Sequence, residues 1–308
     1  MALAMPQPTN PPQNANEFIE RALDERAEAL AQVLQSDVLG LNSMLIYPLD
    51  AVVRDIVEYM RPKRPRRMAG KLTVILTTNG GYIEVVQRIV ETLRCHYRMV
   101  DFIVPDYALS AGTVLAMSGD AIGMNYFSRL GPIDPQVRSS TGQQVSAIGY
   151  LEQWDRLLKK AAAGRLTAAE ASYMISRFDP GDLYQYEQAR ALSVELLKKW
   201  LVKYKFKNWR VTQTRNIPVS RKMKTDRAEE IAKILNDPDK WHSHSSGISM
   251  EVLRRQLNLL IDDYEQNQPV ANRVRDYHVL MADYMARRRT SGALHAIGQY
   301  VPFLAERE

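Results

Sequence analysis

Residues 106–120 read DYALSAGTVLAMSGD and place one serine, Ser110, between a leucine and an Ala-Gly pair, just after the apolar run VDFIVP. A serine where a strand hands over to a helix faces that helix's unpaired N–H groups and the positive end of its dipole. Donors so placed stabilise the tetrahedral intermediate of acyl transfer. A small residue at such a junction also suits plain tight packing, so local chemistry leaves both uses open. A second turn, Asn79-Gly80-Gly81, follows another apolar run. Its glycines let the chain bend sharply and bring bare backbone N–H groups against a ligand. Gly81 and Ser110 are 29 residues apart, one strand–helix–strand unit. That spacing puts both turns at the same end of one sheet, where open α/β sheets hold their sites.

A nucleophilic serine needs a group to take its proton, usually a histidine oriented by a carboxylate. His242 and His244 stand two apart in WHSHSSGIS with no third ligand of suitable spacing, so no metal site is expected. Either could equally cap or edge a core. His96, His278 and His295 are isolated and read as surface or structural. Asp134 lies in SRLGPIDPQ between Pro132 and Pro135, a setting that also suits a carboxylate ordering a turn. Lys159 and Lys160 are adjacent in WDRLLKKAAAGR; a lysine base must be desolvated, whereas paired lysines suit a solvated helix face.

These residues need elements to position them. Residues 17–36 carry apolar positions at helical spacing, and a second helix is expected from about Asp50 to Met60. KLTVILTT (71–78) is a continuous β-branched apolar run, as in a buried parallel strand. A helix, the strand MVDFIVP, a helix from SAGTVLAMSGD, and a short strand with a Pro-rich loop in AIGMNYFSRLGPIDPQ follow. Strand–turn–helix repetition predicts an α/β domain with a parallel sheet. From about residue 150 the pattern is mainly helical, with a break at Gly164 and a capping box of Thr167 and Glu170. No internal repeat is visible. The expected division is a disordered tail (1–16), an α/β core (17–192), a basic aromatic helical segment (193–240), a helical part completing the core (241–289) and a tail (290–308).

Composition sets wider bounds. The chain has 308 residues, 45% apolar and 25% charged, with a formal charge of +6; this is an ordinary globular balance able to bury a substantial core. The single Cys95 gives no disulfide framework and fits a reducing, cytoplasmic compartment. No run long enough for a membrane span occurs, and the Pro-, Asn- and Gln-rich start lacks the basic flank and apolar stretch of a signal peptide. RPKRPRR (61–67) reads as a solvated loop or as a contact for an acidic partner. In 198–224 lysines alternate with Trp200, Tyr204, Phe206 and Trp209, and Arg221, Lys222 and Lys224 extend the patch. Such a pattern fits an amphipathic helix with inward aromatics, subunit packing, or nucleic-acid binding through phosphate charge and base stacking.

The stretch TTNGGYIEVVQRIVETL…VDFIVPDYALSAGTVLAMSGDAIGMNYFSRLGPIDPQ resembles the Clp/crotonase superfamily, whose members include the Clp protease proteolytic subunit and signal peptide peptidase A. With LGPIDPQ, YKFKNW and WHSHSSGIS it is most similar to the serine dehydrogenase proteinase family, out to about residue 288. The resemblance implies a fold of repeated β-β-α units with a largely helical C-terminal half, and a prokaryotic serine-type endopeptidase with no cofactor. It implies Ser110 as nucleophile and an oxyanion site at Gly80, Gly81 and Ala111, with Gly81 and Ala111 donating. In Clp proteases the histidine follows the serine and the aspartate comes late. Here the early position holds Asp134 and the late one His244, so acid and base are exchanged. A Ser–Lys dyad, as in signal peptide peptidases, would use Lys159 or Lys160. The resemblance further implies a homo-oligomer that takes peptides or unfolded chains into a chamber, with or without an unfoldase partner. Two other functions fit the same residues: a crotonase-like acyl-CoA enzyme, and a non-catalytic Clp-like scaffold. No dinucleotide fingerprint or pyridoxal-phosphate lysine points to a dehydrogenase.

Overall fold

The computed structural model describes residues 12–60, 70–133, 136–138, 144–212, 215–241 and 247–303. The expected basic loop 61–67, most of the N-terminal tail and residues 304–308 lie outside them, as do Asp134, His242 and His244. A helix starts at Ala15 behind the N-cap Asn14, whose side chain accepts from the Glu17 N–H, so the first helix begins inside the expected 1–16 tail.

The main sheet has seven strands: β1 (Asp37–Asn42), β2 (Lys71–Thr77), β3 (Met99–Ile103), β5 (Ile122–Met124), β10 (Asp262–Asp263), β11 (Gly292–Ala296) and β12 (Gln299–Phe303). Its order is β10-β5-β3-β2-β1-β11-β12. The first five strands in that order run parallel, and β11 and β12 close the edge as an antiparallel hairpin. Side chains of a strand alternate between faces. Leu39, Leu41, Leu72, Val74, Leu76, Val100 and Phe102 face one core. Val38, Ile75, Ile103 and Ala293 face the other. Both faces are therefore covered, which explains why the strands read as unbroken apolar runs.

Helices α2 (Leu49–Met60), α3 (Ile83–His96) and α4 (Ala111–Met117) cover the first face, backed by α7 (Pro180–Trp200) and α8 (Arg221–Leu235). Helices α1 (Ala15–Leu34) and α11 (Gln268–Arg288) cover the second. In chain order α5 (Ala147–Ala162) and α6 (Ala168–Arg177) precede α7, and short α9 (Pro238–Trp241) and α10 (Met250–Arg255) follow α8. The capping box at Thr167 and Glu170 is present, and Gly164 breaks the chain with φ +65°.

A second layer repeats the unit. Short strands β4 (Tyr107–Ala108), β6 (Arg129–Leu130) and β9 (Ile248–Ser249) form a small sheet, β4-β6-β9. Single bridges Leu45↔Gly81 and Thr78↔Ala108 extend the pattern after β1 and β2. Each early sheet strand thus feeds a short second-layer piece; after β1, β2 and β3 a helix comes next. This is the β-β-α unit that the resemblance implied. Strands β7 (Gln136–Arg138) and β8 (Gln144–Ser146) form a separate hairpin.

Two expected segments differ. Residues 292–303, assigned from sequence to a tail, form a hairpin whose first strand, β11, pairs with β1 and sets His295 opposite Gly40. His295 is buried rather than at the surface: Nδ1 meets the Tyr277 hydroxyl at 2.8 Å and Nε2 meets Asp24 at 3.1 Å, joining α1, β11 and α11. The basic aromatic segment is part of the main body. Trp200, Leu201 and Phe206 enter the first core, and Tyr204 and Trp209 pack against it. A π turn, Leu201–Lys205, makes the bend.

Candidate active site

The two turns are bonded to each other. The Thr78 N–H donates to Tyr107 O at 3.0 Å and the Leu109 N–H to Thr78 O at 2.9 Å. The ends of β2 and β4 therefore run side by side, as the spacing of the two motifs predicted. The Gly80 N–H donates to Thr78 Oγ1 at 3.0 Å, so Gly80 is not a free oxyanion donor. Its part is steric. A Cβ there, at φ +101°, would lie 2.8 Å from Ser110 Cβ and 2.7 Å from Leu109 O. The serine side chain sits over the bare face of Gly80.

Leu45 clamps the glycine turn from the next unit. Its N–H donates to Gly80 O and its carbonyl accepts from the Tyr82 N–H, both at 2.9 Å. The Gly81 N–H, between them, takes no part in these bonds. At the other turn the Gly112 N–H donates to Leu109 O at 2.8 Å and the Thr113 N–H to Ser110 O at 2.9 Å. The Ala111 N–H, first of α4, takes no part either, as expected for a first-turn donor. One N–H group in each turn thus stands outside these bonds.

Ser110 itself holds φ 54° and ψ −120°, a conformation rare for any residue with a Cβ, and is completely buried. Such strain persists only where the surroundings over-determine it, and it gathers at active sites. A serine on a sharp strand-to-helix turn is the geometry of a nucleophile elbow. Gly131, just after β6, closes the other side: a Cβ there would fall 3.0 Å from Ser110 N.

The structure places the base candidates unequally. Asp134 and His244 lie outside the described residues. Their neighbours are fixed: the Ile133 N–H donates to Leu235 O at 2.9 Å, and Leu130 pairs with Ile248. Lys160 pairs with Glu170 of α6 at 2.5 Å, and this hydrogen bond pulls the Glu170 carboxyl down to about 2. Lys159 is exposed. Helix α5, which carries both lysines, packs on α6, α7 and β8, while α4 packs on α3, α7 and β4. Among the described residues no cluster suited to a metal ion occurs.

The basic aromatic patch is spent on structure. The Arg94 guanidinium lies 3.7 Å over the Tyr204 ring and pairs with Asp120 at 2.7 Å. Lys207 also binds Asp120. Burial pushes the Asp120 carboxyl up, but bonds from Lys207, the Val100 N–H and Arg94 outweigh it and hold the group below its ordinary range. Lys198 faces Glu229, and Lys224 donates to Lys207 O. Trp200 and Phe206 are buried, and Tyr204 and Trp209 are half-buried against the same core. Sequence reasoning did not single out Leu45 or Thr78. Only the position of Thr78 ahead of the Asn-Gly-Gly turn could have pointed to it.

The family model described as ClpP-like SDH-type serine proteinase matches residues 14–157. An uncharacterized protein of Methanocaldococcus jannaschii is 30% identical over 108 residues, 35% of this chain and 37% of its own length. A second from the same organism is 27% identical over 154 residues, 50% of each chain. The chain spans half or less of the length of these curated relatives. Among solved structures, a membrane-bound stomatin-specific protease shares 12% identity, with TM-score 0.43 over 76% of this chain and 81% of that one. ClpP1 from Listeria monocytogenes shares 10%, with TM-score 0.41 over 81% and 98%. No described helix is long and apolar enough to cross a membrane. The residues that this family model matches, 14–157, hold both turns and Ser110.

Proposed function

We propose that the protein is a serine endopeptidase that works through an acyl-enzyme on Ser110. One observation carries the reading: a strained serine sits where two turns are bonded to each other, and each turn has one N–H group, of Gly81 and of Ala111, outside those bonds. Ser110 Oγ adds to a peptide carbonyl while its proton passes to the base. The two N–H groups hold the oxyanion. The C–N bond breaks as the base returns the proton to the leaving amine, and water then releases the acyl group by the same path.

His244 with Asp134 is the preferred base pair. The Lys160 amine is engaged by Glu170 of α6. Substrates are peptides or unfolded chains, and assembly is homo-oligomeric, with or without an unfoldase partner. The second reading, a non-catalytic scaffold, is favoured by the complete burial of Ser110.

The test is peptide release from a chemically unfolded protein by the wild type and by Ser110→Ala, His244→Ala, Asp134→Ala and Lys160→Ala. Activity is expected to vanish in the first, to fall about 100-fold or more without His244, and to stay within about twofold without Lys160. Loss with Lys160→Ala and retention with His244→Ala would assign the base to lysine. No release by the assembled wild type would favour the scaffold.

A further inference from the structure

Helix α4 reads AGTVLAM and is buried along its whole length. Its one side-chain hydroxyl, on Thr113, is completely buried among apolar neighbours. A hydroxyl in that setting must be bonded or it destabilises the fold. Thr113 Oγ1 lies 2.9 Å from Ala108 O and 2.8 Å from Gly131 O, and it accepts from the Gly131 N–H at 2.9 Å. Gly131 N–H also reaches Ala108 O at 3.2 Å. None of these partners belongs to α4. They are the strand residue that enters the serine turn and the first residue beyond β6.

A hydroxyl has one proton and two lone pairs. It donates to one carbonyl at a time, and while it accepts from Gly131 it keeps the two strand ends at one spacing. That spacing matters because Gly131 lies against Ser110: the side chain it lacks would sit 3.0 Å from the serine nitrogen. Valine has nearly the same shape and would satisfy the packing. The hydroxyl is therefore needed for the bonds it makes.

We propose that Thr113 is a positioning residue whose hydroxyl latches the serine turn to the end of β6 and so holds Ser110 in its strained, reactive conformation. Its catalytic consequence rests on the peptidase reading above; the latch itself does not. Thr113 touches no substrate, and it acts through Ala108, Gly131 and the turn between them.

The experiment compares the full chain with Thr113→Val and Thr113→Ser. Three quantities are read: fluorophosphonate labelling rate at Ser110, kcat and KM on an unfolded protein substrate, and hydrogen exchange of peptides covering 105–112 and 129–133. Thr113→Val is expected to lower labelling and kcat about 10- to 100-fold, with KM within about twofold. Exchange should rise in those two segments and remain as in wild type in α1, α11 and the main sheet. Thr113→Ser should restore all three. If Thr113→Val does not accumulate folded, Thr113→Cys, of similar shape and a weak donor, carries the same comparison.

Labelling and exchange unchanged in Thr113→Val would overturn the latch. So would a loss that Thr113→Ser fails to restore. If wild type is never labelled, yet exchange in both segments rises in Thr113→Val and recovers in Thr113→Ser, the latch stands and the peptidase reading fails.

Discussion

The end of the sheet around Ser110 and the arm made by α5 and α6 are built on opposite plans. Around Ser110, Thr78, Tyr107, Leu109 and Leu45 bond from three different chain segments, and glycines lie against the serine with no room for a methyl group. In the arm, α6 has no buried residue at all. It is held by its own capping box, by the surface pair Lys160–Glu170 and by a small aromatic cluster of Tyr150, Trp154 and Phe178 beside Tyr186. The first region is packed without spare room and can store strain. The second is held largely at its surface and cannot. Chemistry that needs a held, unfavourable conformation belongs to the first.

Substitutions should separate the two plans, and the largest effect is expected beneath the serine. Gly80→Ala places a methyl against Ser110 Cβ and Leu109 O at a positive φ. Labelling at Ser110 should fall about 100-fold or more, because a displacement of about 1 Å costs that much. A labelling rate near wild type would mean that the turns are not rigidly coupled.

Next comes Asp120, with 6% of its side chain exposed, where the YKFKNW segment is pinned to the sheet. Asp120→Asn should lower unfolding free energy by about 2–3 kcal/mol at neutral pH, the worth of lost bonds to charged partners. A carboxyl held below its unfolded value contributes its stability above that value and loses it as pH falls through the folded one. The difference between wild type and variant should therefore be full at pH 7 and shrink below about pH 4. Urea titrations across pH check this, and a constant difference would contradict it.

A smaller effect, of unusual sign, is expected at the serine. Ser110→Gly removes the Cβ that makes φ 54°, ψ −120° unfavourable. It should be more stable than Ser110→Ala by about 1 kcal/mol while both are inactive. Equal stabilities would show that the turn relaxes once the hydroxyl is gone. The smallest effect belongs to the arm. Thr167→Ala should cost about 1 kcal/mol of local stability, seen as faster hydrogen exchange confined to α6, with labelling at Ser110 unchanged.

The contrast also explains what could be read in advance. The strands 71–77 and 99–103, the helices between them and the capping box at Thr167 were legible because runs, periodicity and caps are local signals. The pairing of the Gly80–Gly81 and Ser110 turns was legible from one count of residues, since a parallel unit returns its turns to the same end. The hairpin 292–303 was not. Its partner β1 lies some 250 residues away, and a buried histidine, satisfied by Tyr277 and Asp24, breaks its apolar alternation. For 198–224 the amphipathic reading with inward aromatics is the one that the structure shows, while the partners of its lysines, Asp120 and Glu229, could not be read from spacing. The strain at Ser110, the clamp by Leu45 and the latch at Thr113 are products of tertiary contact, with no trace in spacing or composition.

The central claim is that Ser110 is an activated nucleophile. Fluorophosphonate labelling of the full chain, read by intact mass and peptide mapping beside Ser110→Ala, tests it most directly. One adduct per chain, on Ser110 and absent from the variant, is the predicted result. An assembled, folded wild type that takes up no adduct, or an adduct that persists in Ser110→Ala, would contradict it.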